Sequence, residues 1–287
     1  MSLEHGQSLS QGQEAYSQHE VVLTSGSSEV RVSRFGAMIM GWKDGERDIL
    51  FSLQMVGGKL RGGNFLLWPC PGLASKKGQF SDLPQHGFAR EIFWSGYVGA
   101  GLSHEIVDQE MAVHGLGKSD TLALGLLANE ETKAVYPYDF GLGAGIELRG
   151  HVLTYEIGVA NKGDEEMPFV LGFHPYFQLP SLDALPGIKT NIPGFEPELE
   201  ALKRSLICDL PKEDIEIEIP KWGLITLAPS EGFQKLVVWT DGRGPYLCVE
   251  PWTSGPFTLD EPDERINLQP GGYESFSLTM QFQPFGV

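Results

Sequence analysis

Val152-Leu153-Thr154-Tyr155-Glu156-Ile157-Gly158-Val159-Ala160 decides the fold. Leu153, Tyr155, Ile157 and Val159 fall on one face, with Thr154 and Glu156 opposite. An apolar period of two is the mark of a strand that buries one face and wets the other. Asn161-Lys162-Gly163-Asp164 follows as a turn. Upstream, Leu122–Leu127 and Ile146–Leu148 read as further strands. Nearer the start, Val21–Thr24 and Val30–Ser33 flank Ser25-Gly26-Ser27-Ser28 as a hairpin. Phe35–Trp42 continues it, with Met38, Met40 and Trp42 expected on one face, and Glu91–Tyr97 reads as an aromatic strand. Downstream, Ile215, Ile217 and Ile219 alternate with Glu216 and Glu218, and the last strand presents Phe276, Leu278, Met280 and Phe282. Leu236–Trp239 and Tyr246–Val249 are joined across Asp241-Gly242-Arg243-Gly244, whereas Leu179–Leu210 is proline-rich and irregular. No amphipathic helix of three turns appears. Many strands punctuated by Gly, Pro, Asn and Asp predict an all-β protein, a large antiparallel β-sandwich. Residues 20–287 read as one domain behind a loose polar tail at residues 1–19.

The totals narrow the function classes. A chain of 287 residues buries a large core without staples. Its formal charge of −17 argues against nucleic acid and anionic membranes, which need clustered Lys and Arg. Cys70, Cys208 and Cys248 have neither disulfide-framework nor structural-zinc spacing, so they read as small buried hydrophobes in a reducing compartment. No basic region leads into an apolar run, and no stretch approaches the roughly 18 apolar residues of a spanning helix. The expected location is the cytoplasm. The sequence carries no signal for an oligomeric state.

Three fragments carry chemistry. Leu83-Pro84-Gln85-His86-Gly87-Phe88-Ala89-Arg90 puts an imidazole and a guanidinium within five positions. Gly172-Phe173-His174-Pro175-Tyr176-Phe177 supplies a second histidine, and Cys248-Val249-Glu250-Pro251-Trp252 a carboxylate. Arg61 sits among Gly57, Gly58, Gly62 and Gly63, where the backbone can approach another group closely. A carboxylate and an imidazole in one cleft form an acid–base pair able to work near neutral pH. Tyr176, Phe177 and Trp252 offer flat surfaces suited to the C–H faces of a sugar ring. Metal binding competes for two histidines and a glutamate, but His-Glu-x-x-His spacing is absent. A serine nucleophile lacks its Gly-x-Ser-x-Gly elbow, and a glycosidase requires a second carboxylate opposite Glu250.

Pro84–Arg90, Gly172–Phe177, and Val237-Val238-Trp239-Thr240 followed by Cys248–Trp252 resemble the motifs of the aldose 1-epimerases, the galactose mutarotase-like proteins. The likeness runs from about Val21 to the last strand and is greatest to the branch holding hexose-6-phosphate epimerases. The resemblance implies a supersandwich with its site in a cleft on one sheet, and interconversion of α and β anomers of an aldose without cofactor or metal. It implies that Glu250 removes the C1 hydroxyl proton and that His174 protonates the ring oxygen. His86 would hold a hydroxyl or the ring oxygen, and Arg61, Arg90 and Trp252 would contact substrate. A family aspartate between His174 and Glu250 would be Asp209 or Asp214. The substrate is expected to be a free aldose, with a sugar phosphate behind it on the strength of Arg61 and Arg90. A non-catalytic sugar-binding sandwich is the other expectation.

Overall fold

A computed structural model describes residues 14–98 and 120–285. Among these the strands form two principal antiparallel sheets. The nine-stranded sheet runs Glu20–Ser25, Ser28–Ser33, Met38–Asp44, Arg47–Leu50, Gly172–Gln178, Tyr246–Trp252, Lys235–Trp239, Leu206–Asp209. Asn64–Leu67 pairs with both Met38–Asp44 and Gly172–Gln178. The eight-stranded sheet runs Lys189–Thr190, Ile215–Ile219, Gly223–Pro229, Tyr273–Pro284, Val152–Asn161, Phe140–Arg149, Thr121–Leu127, Ser95–Val98. No helix among the described residues is long and apolar enough to cross a membrane.

The period-two reading explains how the sheets stack. Leu153, Tyr155, Ile157 and Val159 face the interior with Phe276, Leu278, Met280 and Phe282 of the adjacent strand. Against them pack Phe173, Phe177, Leu236, Val238, Leu247 and Val249 of the larger sheet. Each such side chain contributes roughly 1.5–3 kcal/mol by leaving water. The Tyr155 hydroxyl donates to the Ala37 carbonyl and ties the layers together.

The larger sheet is buried on its outer face as well. Met38, Met40, Phe65, Leu67, Tyr176, Val237, Cys248 and Trp252 form a second cluster there. Its central strands therefore show little wet–dry alternation: six of the seven residues of Gly172–Gln178 are buried, as are all seven of Tyr246–Trp252.

Four expectations need correction. Trp42 does not share a face with Met38 and Met40: Gly41 pairs with Arg31 and Ile39 with Val32, so Met40 is an extra residue. That bulge resets the alternation and sends Trp42 into the inter-sheet core. The aromatic strand begins at Ser95, because Ala89–Glu91 is a 3₁₀ turn. The irregular stretch contains a short strand, Leu206–Asp209, that edges the larger sheet. Residues 14–17 are helical rather than loose, and Tyr16 is buried; residues 1–13 lie outside the described residues.

Phe173 is fully buried, 5.0 Å from the Tyr155 ring and 5.8 Å from the Phe233 ring. Phe173→Ala is expected to cost about 3–5 kcal/mol in urea unfolding. Val22→Ala, on an exposed edge position, should stay within about 0.5 kcal/mol of wild type.

Candidate active site

The outer face of the larger sheet holds a cavity of about 670 Å³. His174 stands at its floor on the central strand Gly172–Gln178. The register that pairs Gly172 with Trp252 and Tyr176 with Cys248 sets His174 opposite Glu250. On the other flank His174 pairs with Phe65, and Glu250 pairs beyond with Val237. Directly opposed side chains on a sheet have Cβ atoms about 4.5–5.5 Å apart, close enough for their heads to meet. Here the His174 Nε2 lies 3.4 Å from the Glu250 Oε1. The imidazole stacks on Tyr176 at 4.7 Å, and its backbone N–H donates to the Asn64 Oδ1 at 3.0 Å. Gly172 explains the spacing to Trp252: a Cβ there would come within 2.6 Å of the Trp252 ring.

Both heads are almost sealed from solvent, His174 6% and Glu250 2% exposed. Burial pushes the Glu250 carboxyl well above its ordinary range, with the nearby Trp252 indole acting against it. Burial, then His86, Arg90 and Arg61, push His174 well below its own. Each group is biased toward its neutral form, as a low-dielectric site demands.

His86 reaches the cavity from a strained loop. Its φ of 70° is left-handed, a conformation that costs a non-glycine residue roughly 1–3 kcal/mol. Two bonds to Gly72 hold it: the His86 N–H donates to the Gly72 carbonyl at 2.6 Å, and the Gly72 N–H donates to Nδ1 at 2.9 Å. With Nδ1 accepting, the neutral ring carries its proton on Nε2. Burial and then Arg90 lower the His86 pKa to about 3. Gly87 follows at φ 67°, where a Cβ would lie 2.0 Å from the Trp68 carbonyl oxygen. Only glycine lets this loop lie against Trp68 and aim His86, whose ring sits 5.6 Å from that of His174.

The cations occupy the walls. Arg61 donates through Nε to the Asp241 Oδ2 at 3.0 Å and lies over Trp239. Asp241 also accepts from the Tyr246 hydroxyl and, at 3.0 Å, from the Arg243 N–H. Burial would raise the Asp241 pKa, but these donors outweigh it and hold the carboxyl low. Arg90 donates to the Gln85 carbonyl at 3.0 Å and lies over Phe65. Lys59 lines the same cavity, with no ion-pair partner among the described residues. Three buried polar atoms of the lining accept or donate no hydrogen bond among those residues: the His174 Nδ1, the Trp252 Nε1 and the Arg90 Nε, which faces the Glu91 carboxylate as an ion pair at 3.6 Å. Each is a place where a polar ligand atom would recover lost hydrogen-bond energy.

All six expected site residues, Arg61, His86, Arg90, His174, Glu250 and Trp252, border this one cavity. Phe177 does not; it lies on the opposite face of its strand, in the inter-sheet core. Asp209 is an exposed edge residue paired with Lys235 at 2.6 Å, and neither it nor Asp214 lines the cavity. The aspartate tied to the site is Asp241, hidden in sequence because Asp241-Gly242 reads as an ordinary turn. Tyr16 was missed too, within a segment that looked like tail. Cys248 gives His174 and Glu250 a third potential metal ligand, all within 4.8 Å. Its thiol is fully buried, and burial and then Glu250 push its pKa well above the ordinary value.

The chain resembles known proteins over most of its length. A family model described as Aldose 1-epimerase matches residues 19–216. A relative in Escherichia coli (strain K12), named "Putative glucose-6-phosphate 1-epimerase", is 32% identical over 149 residues, 50% of this chain and 43% of that protein. The chain thus aligns to less than half the length of the curated relatives it matches. The crystal structure of the Slr1438 protein from Synechocystis sp. PCC 6803 superposes with a TM-score of 0.76 at 26% identity, covering 93% of this chain and 96% of that one. A galactose mutarotase related enzyme from Lactobacillus acidophilus gives 0.71 at 20% identity, covering 92% and 97%, and shows the shared fold.

The depressed His86 pKa has a consequence for stability. Unfolded, the ring binds a proton below about pH 6.5; folded, it stays neutral down to about 3. Stability contributed by His86 is therefore present above pH 6.5 and falls as pH drops toward 3. His86→Asn should flatten the slope of unfolding free energy against pH in that window by about 1.4 kcal/mol per pH unit, measured by urea titration.

Proposed function

The chain belongs to the aldose 1-epimerase family, and on that premise we propose that it interconverts the α and β anomers of an aldose, with a phosphorylated aldose favoured over a free one. The observation that carries the reaction is the buried Glu250–His174 pair. Opening a hemiacetal ring removes a proton from the C1 hydroxyl, supplies one to the ring oxygen, breaks the C1–O bond and leaves an aldehyde. No electrons or net protons are exchanged. A pair that holds one proton in total meets this requirement. Glu250 as carboxylate takes the hydroxyl proton while His174 as imidazolium gives its own to the ring oxygen. The pair ends as carboxylic acid and neutral imidazole, the forms burial favours. Rotation about C1–C2 and the reverse transfers close the ring on the other face. His86, offering Nε2–H, holds a hydroxyl or the ring oxygen, and Trp252 with Tyr176 and Trp239 covers the apolar faces of the sugar.

Substrate charge is argued from the walls. Lys59, Arg61 and Arg90 converge on one cavity in a protein of formal charge −17. Guanidinium forks match phosphate oxygens, and the Arg90 Nε, 3.6 Å from the Glu91 carboxylate, makes no hydrogen bond among the described residues. The name of the Escherichia coli relative points the same way.

Exchange between the anomeric protons of glucose 6-phosphate and of glucose, followed by NMR, tests both parts. Wild type is expected to accelerate the phosphate form more, and Glu250→Gln to lower kcat by about 10²–10⁴-fold. Saturable binding with every aldose left at its spontaneous rate would instead indicate a sugar-binding sandwich.

A further inference from the structure

Tyr16 precedes residues 19–216, which the family model matches, yet it lines the cavity and is 5% exposed. Its carbonyl accepts from the Ser33 hydroxyl at 2.7 Å, which clips residues 14–17 to the edge of the larger sheet. The Arg34 N–H donates to the His19 carbonyl at 3.0 Å and extends that clip. From there the ring passes edge-on between Phe35, at 5.0 Å, and Phe65, at 6.3 Å. Its hydroxyl ends on the Arg90 carbonyl, donating at 3.0 Å. Gly36 lies close against the same carbonyl, where a Cβ would come 2.4 Å from the oxygen.

Arg90 needs this support. It sits in a single 3₁₀ turn, Ala89–Glu91, whose preceding residue makes no side-chain cap. Its guanidinium rests on Phe65, the ring that Tyr16 also meets. The hydroxyl fixes the backbone of Arg90, and the tyrosine ring helps fix the surface on which the guanidinium lies. We propose that Tyr16 is a positioning residue for Arg90, so that the segment ahead of the first strand sets how tightly the cavity holds an anionic sugar. This rests on the reading of Arg90 as a contact for a phosphorylated substrate.

The test uses the full chain. Tyr16→Phe keeps the ring and deletes the bond to Arg90. It should raise KM for glucose 6-phosphate about three- to tenfold, with kcat for that sugar and KM for glucose within about twofold of wild type. Arg90→Met should raise the same KM at least as far, and the double variant should be no worse than Arg90→Met alone, because no cation is then left to position. The dissociation constant of 1,5-anhydroglucitol 6-phosphate, which lacks a C1 hydroxyl and cannot turn over, should weaken in step. If wild type binds that compound without accelerating anomer exchange, the epimerase reading fails and the Tyr16 comparison is still decided by calorimetry. Equal changes for glucose and its phosphate, a lowered melting temperature with KM and dissociation constant unchanged, additive losses in the double variant, or no binding of the anhydro compound would each overturn the proposal.

Discussion

A carboxylic acid and an imidazole 3.4 Å apart, almost without solvent, are expensive to maintain, and much of this fold is what makes them possible. Glu250 and His174 each resist ionisation because burial penalises the charged form. The same burial makes them useful, since moving one proton through such a pair leaves the net charge of the site unchanged. A rigid support is needed to keep both heads in register. Two hydrogen-bonded central strands supply it, because the pleat fixes which side chains oppose one another.

That support exists only because the larger sheet is dry on both faces. Its inner face packs against the eight-stranded sheet, while its outer face carries the aromatic and methionine cluster around the cavity. Residues one apart in a single motif thereby do different work. Phe173 and Phe177 hold the layers together, and His174 and Tyr176 between them face the cavity. Cavity geometry and fold stability share the same seven-residue strand.

Around this floor, less regular elements bring in the groups that would hold substrate. His86 accepts backbone strain because Gly72 bonds it twice and Gly87 lets the loop lie flush against Trp68. Arg61 is held by Asp241, and Arg90 by Gln85, Glu91 and Tyr16. The wall cations are thus fixed through turns and long-range contacts rather than by strand register.

Period-two alternation in Val152–Ala160 and in the last strand was enough to determine an all-β sandwich and the inward faces of those strands, because side-chain direction along a strand is a local property. The three motifs likewise pointed to His86, Arg90, His174, Glu250 and Trp252, since unusual residue types cluster within a few positions, and the family resemblance added Arg61; all six border one cavity. Tertiary structure alone decided the rest. A one-residue bulge turned Trp42 inward, which no alternation pattern reveals. Asp241, not Asp209 or Asp214, became the partner of Arg61, 180 residues away in sequence. Tyr16 became a wall of the cavity through a bond to a residue 74 positions on. Strand periodicity is written within a few residues, whereas such partnerships depend on which strands pair and in what register, and that is settled only when distant segments are packed against one another.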